Sequence, residues 1–270
     1  MNFLKTATAV VHYRTVGLET GRPVIAFANS LGTDLRIWDE IVARLGDRYA
    51  FVLHDKRGHG LSDVGSDVGQ PPYSIDNHVD DMAAVLDHLQ LKNVIICGLS
   101  VGGLIAQGLY ARRPDLVKAL VLSNTAHKIG SDEMWNTRIN AIQANGIGSL
   151  LEPIMERWFT APFRTPDNAV YAGCCNMLVR QPADGYCGTC AAIRDADFTT
   201  EATRITVPTL CIAGDQDGST PPALVRALAD LIPASDYVTI ENAGHIPCLE
   251  QPDAYVAALL PFLERCSQNR

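Results

Sequence analysis

Residues 93–97, NVIIC, form an almost wholly apolar run that passes through GLSVGG directly into LIAQGLYARR. No other stretch restricts the possible folds as much. A short apolar run bounded by turn formers reads as a buried strand. Residues 104–113 read as a helix, and Pro114 stops it because proline cannot continue the hydrogen-bond ladder. A strand that turns through glycines into a helix is half of a strand–helix–strand unit, which requires a parallel sheet. The strand is apolar on both faces, so helices must cover the sheet on both sides.

The rest of the chain repeats this alternation, with one interruption. Residues 9–16, 23–28, 49–54 and 117–122 read as strands. Residues 36–45 and 74–89 carry apolar side chains at helical spacing, with Ser74 as the expected N-cap of the second. After about residue 125 the alternation stops. Residues 131–204 contain helical stretches (133–144, 149–158, 167–180 and 186–194) and no strand pattern. Strand 207–213, helix 221–231, strand 236–240 and helix 253–265 then resume it. The expectation is an α/β core built from residues 1–125 and 206–270, with residues 126–205 inserted as a helical cap.

Composition narrows the function classes. A chain of 270 residues buries roughly 75% of its unfolded surface, so the fold needs neither a metal nor a disulfide. The hydrophobic fraction of 47% and charged fraction of 19% exclude disorder and coiled coil. A net charge of −8 lacks the basic footprint of a nucleic-acid binder. It also means that an anionic ligand needs a local arginine or lysine against the overall field. No run approaches the ~18–20 apolar residues of a membrane span, and the N-terminal residues do not read as a signal peptide. With eight cysteines and no export signal, the expectation is a cytoplasmic protein with reduced thiols. Cys187 and Cys190 have redox or metal spacing, but no neighbouring histidine or second pair completes a site. No cofactor and no metal are expected.

Chemistry concentrates at Gly98-Leu99-Ser100-Val101-Gly102, a G-x-S-x-G motif with a strand before it and a helix after. The spacing is geometric: a serine on so sharp a turn is strained, and glycines two residues away let the backbone pass without a Cβ clash. A serine hydroxyl needs a base. In α/β-hydrolases the order is Ser, acid, His. His245 follows the strand at 236–240, and the acid lies in Gly214-Asp215-Gln216-Asp217. Asp217 matches the family's acid position; Asp215 is the rival, unless it caps the turn. The two oxyanion-hole N–H groups are expected from Val101, after the serine, and from Leu31 in the loop Asn29-Ser30-Leu31-Gly32-Thr33-Asp34. The other six histidines (His12, His54, His59, His78, His88 and His127) read as satisfied surface or supporting groups.

That loop, together with Arg57-Gly58-His59-Gly60, Gly98-Leu99-Ser100-Val101-Gly102-Gly103, Ser123-Asn124-Thr125-Ala126, Lys128-Ile129-Gly130 and Ala243-Gly244-His245-Ile246-Pro247, resembles the 3-oxoadipate enol-lactonases. These are α/β-hydrolases of the β-ketoadipate branch of aromatic breakdown. The resemblance covers nearly the whole chain. G-x-S-x-G says little about substrate, whereas the Asn-Ser-Leu-Gly-Thr-Asp loop and the Asn-Thr-Ala segment are specific. His54-Asp55-Lys56 departs from the pattern, and no role is read from it.

The resemblance implies a substrate: a small anionic five-membered enol-lactone with an acetate arm, opened to 3-oxoadipate through an acyl-enzyme. The carboxylate then needs a cation from the cap. Arg138, Arg157, Arg164, Arg180 and Arg194 are the candidates. Trp135 and Arg138 lie three residues apart and share a face if 133–144 is helical, so they are the expected substrate-binding pair. A general carboxylesterase, a carbon–carbon bond hydrolase and a non-catalytic binding protein on the same fold are the competing readings.

Overall fold

A computed structural model describes residues 1–66 and 73–268. Eight strands form one sheet: β1 (Asn2–Lys5), β2 (Val10–Val16), β3 (Val24–Ala28), β4 (Ala50–His54), β5 (Val94–Leu99), β6 (Val117–Ser123), β7 (Thr209–Gly214) and β8 (Ser235–Ile240). Their order is β1-β2-β4-β3-β5-β6-β7-β8. β2 runs antiparallel to β1 and β4, and every other pairing is parallel. All residues of β4, β5 and β7 are buried, as continuous apolar strands covered on both faces require.

Helices α1 (Asp39–Leu45), α2 (Ile75–His88) and α3 (Val101–Arg112) follow β3, β4 and β5 in the chain. Between β6 and β7 the described residues form helices and no strand: α4 (Asp132–Asn145), α5 (Leu151–Trp158), α6 (Ala169–Val179), α7 (Ala183–Arg194) and α8 (Thr199–Ala202). The chain closes with α9 (Pro222–Leu231), α10 (Pro247–Glu250) and α11 (Pro252–Gln268). α2, α3, α8 and α9 form one chain of packed neighbours, while α1, α10 and α11 pack on one another. Ser74 caps α2 as expected, accepting from the Asn77 N–H while Asn77 returns a bond to the Ser74 N–H.

Three local differences have plain causes. β1 has no sequence signature because it is a four-residue, mostly exposed edge strand paired only with β2. α3 begins at Val101, three residues before the expected start, because Gly102 and Gly103 read as turn formers. Inside the fold they are the first turn of a helix pressed against other backbone: a Cβ on Gly102 would strike the Ala28 carbonyl, and one on Gly103 would strike Thr125. α11 runs to Gln268 through Pro261, beyond the expected end at 265, since only that proline's missing N–H and ring oppose the helix.

Candidate active site

Ser100 sits where β5 meets α3, with φ 59° and ψ −119°. A positive φ strains a residue with a Cβ, and the fold imposes it from both sides. A Cβ on Gly98 would collide with the Gly102 carbonyl, so neither glycine can be replaced without moving the turn. The Ser100 N–H donates to Ser123 O at 3.0 Å, and Thr125 Oγ1 donates to Ser100 O at 2.6 Å. Val101 is the first residue of α3, where a helical N–H has no intrahelical acceptor.

Asp217 follows β7 and His245 follows β8, both at the carboxyl end of the sheet. His245 Nδ1 lies 2.9 Å from Asp217 Oδ2 and 3.0 Å from Oδ1. The carboxylate also accepts from Asn124 Nδ2 at 2.9 Å, Thr220 Oγ1 at 2.7 Å, and the N–H groups of Ser219 and Thr220 at 2.7 and 3.0 Å. Burial alone would raise the pKa of this group, but His245 and these donors together hold it below the usual carboxylate value. The rival acid goes elsewhere. Asp215 is exposed and accepts from the Ala243 N–H at 3.1 Å, a turn-capping role. His245 is fixed through its backbone N–H, which donates to Trp158 O at 2.7 Å, and its Nε2 faces Ser30 Oγ at 3.5 Å.

The loop from Asn29 to Asp34 is fastened from beneath by the turn after β4. Asn29 Nδ2 donates to His54 O at 2.7 Å and its Oδ1 accepts from Trp38 Nε1 at 2.8 Å. The Gly32 N–H donates to His59 Nε2 at 3.1 Å. Lys56 Nζ donates to Ser30 O at 2.6 Å and Thr33 O at 3.2 Å. The Leu31 N–H has no hydrogen-bond partner among the described residues. Burial drives the pKa of His59 well below its ordinary value and that of Lys56 down to about 7. His12 is paired with Asp55 at 2.8 Å. The expectation that the remaining histidines are satisfied fails for three of them, since His54 Nε2, His78 Nδ1 and His127 Nδ1 are buried without partners.

Ser30, Leu31, Ser100 and His245 line one cavity of about 40 Å³ together with Trp135, Arg138, Arg157 and Tyr186 from the helical segment. Trp135 donates from Nε1 to Ile129 O at 2.7 Å, and the Arg138 guanidinium lies 4.9 Å from the centre of its ring. The expected helix thus puts the two on one face. Arg138 and Arg157 have no carboxylate partner among the described residues, and both also line a neighbouring cavity of about 390 Å³ between α4 and α5. The other three candidate arginines are elsewhere: Arg164 pairs with Glu156, Arg194 pairs with Asp195, and Arg180 lines a separate pocket beside His12 and Asp34.

Sequence reasoning assigned no role to Asn124, Thr220, Lys56 or Tyr186. Asn124 had a signal, a polar residue at a strand's carboxyl end, and it adopts φ 47°. Thr220 had the three-residue spacing from Asp217 that suits a side chain bonding back onto a turn. Tyr186 is fully buried on the cavity wall, with its hydroxyl beside the Arg138 guanidinium. Burial pushes its phenol up, partly offset by Arg138. Cys187 and Cys190 are free thiols packed in α7. Among the described residues no metal-sized group of His, Cys, Asp or Glu gathers, and no helix is long and apolar enough to cross a membrane.

A serine at a strained strand-to-helix turn, with an acid after β7 and a histidine after β8, is the arrangement of one fold family. The chain belongs to the alpha/beta hydrolase family, whose sequence pattern matches residues 25–258. Within it, the chain is 35% identical to 3-oxoadipate enol-lactonase 2 of Acinetobacter baylyi over 98% of each protein. It is 32% identical to 3-oxoadipate enol-lactonase 1 of the same organism, over 90% of this chain and 89% of that one. The crystal structure of the enol-lactonase from Burkholderia xenovorans LB400 superposes with a TM-score of 0.90 at 35% identity, over 97% of this chain and 100% of the other.

Proposed function

We propose that the protein hydrolyses 3-oxoadipate enol-lactone to 3-oxoadipate through an acyl-enzyme on Ser100. The observation that carries this reading is one cavity lined by Ser100 and His245 of the core and by Trp135 and Arg138 of the helical segment. A small ring with one charged arm suits an apolar wall beside a cation. The enol-lactonase relatives, matched over nearly the full length, support the same substrate.

Ser100 Oγ attacks the lactone carbonyl while His245 Nε2 takes its proton. The imidazolium so formed faces the Asp217 carboxylate, which stays ionised because its oxygens are supplied with donors. The Leu31 and Val101 N–H groups receive the tetrahedral oxyanion. Collapse breaks the ring C–O bond, and His245 returns its proton to the departing enol oxygen. The enol becomes a ketone, which removes the nucleophile for re-closure. Water, deprotonated by His245, then attacks the acyl carbon and frees Ser100 with 3-oxoadipate. Trp135 packs on the ring and Arg138 pairs with the acetate arm.

In this reading residues 126–205 act as a cap domain over a core of residues 1–125 and 206–270. We also place the protein in the cytoplasm, since its eight cysteines are free and a reducing compartment keeps them so. The test is turnover by the purified protein of the enol-lactone, p-nitrophenyl acetate and a vinylogous diketone, with products identified by chromatography. A kcat/KM for the lactone on the order of a hundredfold above the acetate is expected, the worth of one well-placed charged contact and its ring packing. Equal rates would make it a general esterase, and cleavage of the diketone would make it a carbon–carbon hydrolase.

A further inference from the structure

Lys56 is a charged residue in an unusual place. It is 1% exposed and it forms no ion pair among the described residues. The two carboxylates that pull on it are occupied elsewhere: Asp55 accepts from Leu35 N–H, Leu61 N–H and His12, and Asp34 holds Arg36. Its direct partners are two carbonyls of one loop, Ser30 O at 2.6 Å and Thr33 O at 3.2 Å. Burying an amine this way costs several kcal/mol in desolvation, and methionine would fill the same volume without that cost. Something other than packing has to justify it.

The peptide plane supplies the reason. Ser30 C=O and Leu31 N–H belong to one planar trans unit, so they point in opposite directions. Thr33 also donates to Ser30 O, from Oγ1 at 2.9 Å and N–H at 3.3 Å, but Thr33 moves with the loop. Lys56, rooted in the turn after β4, is the donor from outside it. Drawing Ser30 O down toward Lys56 aims the Leu31 N–H up toward the cavity that Leu31 and Ser100 line. The second bond, to Thr33 O, holds the far end of the same short turn.

We infer that Lys56 is a positioning residue for the oxyanion hole, fixing the Ser30–Leu31 peptide so that the Leu31 N–H faces the carbonyl attacked by Ser100. The inference rests on the proposed Ser100 chemistry. It does not depend on the lactone as substrate, because every ester attacked there uses the same hole. Both the ammonium and the neutral amine donate, so the positioning holds on either side of pH 7.

The test uses Lys56→Met and Lys56→Gln in the full-length protein, with p-nitrophenyl acetate as substrate and phenylboronic acid as the probe of the hole. Boron bonds to a serine oxygen and becomes tetrahedral, placing an oxygen where the oxyanion forms. Loss of one hole donor costs on the order of 10²–10³ in kcat, and a misaimed donor less. Lys56→Met should therefore lose about 10–100-fold in kcat with KM nearly unchanged, and phenylboronic acid should weaken in step. Lys56→Gln should fall between that variant and wild type. A folded Lys56→Met with kcat and boronic acid affinity near wild type overturns the inference, and so does a loss confined to KM. If Lys56→Met does not fold, the same criteria apply to Lys56→Gln. A wild-type protein that neither turns over the ester nor binds the boronic acid would instead sink the Ser100 reading itself.

Discussion

The two walls of the cavity are built on opposite plans. On the sheet side the acid is tied down: the Asp217 carboxylate faces His245 and accepts four further bonds, from Asn124, Ser219, and the backbone and side chain of Thr220. The Asn29–Asp34 loop is tied to Lys56, His59 and His54. On the helical side the half-buried Arg138, beside the Tyr186 hydroxyl, and the exposed Arg157 lack carboxylate partners among the described residues. The sheet side fixes geometry before substrate arrives, as electrostatic preorganisation requires. Under the proposed function, the helical side leaves its cations for the substrate carboxylate.

Four measurements can break or sharpen that contrast. The largest effect belongs to the sheet side. Ser100→Ala should lower kcat by on the order of 10⁶ while circular dichroism stays unchanged, and near-normal turnover would remove Ser100 as nucleophile. Next, Asp217→Asn should cost on the order of 10⁴ in kcat, whereas Asp215→Asn should remain near wild type because Asp215 is exposed and caps a turn. The reverse ranking would reassign the acid.

The helical side should show smaller, substrate-dependent losses. A charge-assisted hydrogen bond is worth roughly 1.5–3 kcal/mol, so Arg138→Ala should reduce kcat/KM for the charged lactone about ten- to a hundredfold. A neutral lactone without the acetate arm should barely register the change. Equal losses on both would make Arg138 a structural residue and dissolve the contrast.

The last effect is on stability and leaves turnover aside. Burial lowers the pKa of Lys56 to about 7, opposed by Asp55 and Asp34, while His54, His59 and His78 beside it are held neutral by burial. The unfolded chain, with an ordinary lysine near 10.4, binds more protons than the folded one between those values. Folding through this group is therefore penalised below pH 7 and gains as pH rises toward 10. The melting temperature of wild type should climb relative to Lys56→Met between pH 7 and 9, and parallel curves would show that Lys56 keeps its ordinary pKa. Cysteines that titrate in the same range are common to both proteins and cancel.

The same contrast explains what could be read from sequence. Ser100 was legible because an elbow needs a strand, glycines and a helix in one unbroken stretch, which local pattern records. Leu31 and His245 were legible because they follow strands that alternation places in parallel. Lys56 was not: no role was read from His54-Asp55-Lys56, and only the crossing of that turn under the Asn29 loop buries it. Helical spacing singled out Arg138 beside Trp135, but placing Arg157 on the same cavity needed tertiary structure, because spacing shows which residues share a face and not which face meets the cavity. Tyr186 carried no sequence signal for the same reason.

The strand order has a consequence for how the protein is made. β6 and β7 are neighbours in the sheet, yet the whole of residues 124–208 separates them in the chain. During synthesis the parallel edge of β6 therefore waits unpaired while the helical segment emerges, and an open edge is a template for pairing with another chain. The serine turn is complete by then, but its histidine and acid are still unmade. Only β7 closes that edge and delivers Asp217, and only β8 delivers His245. Protection from aggregation and the means of catalysis reach the newborn chain in the same few strands.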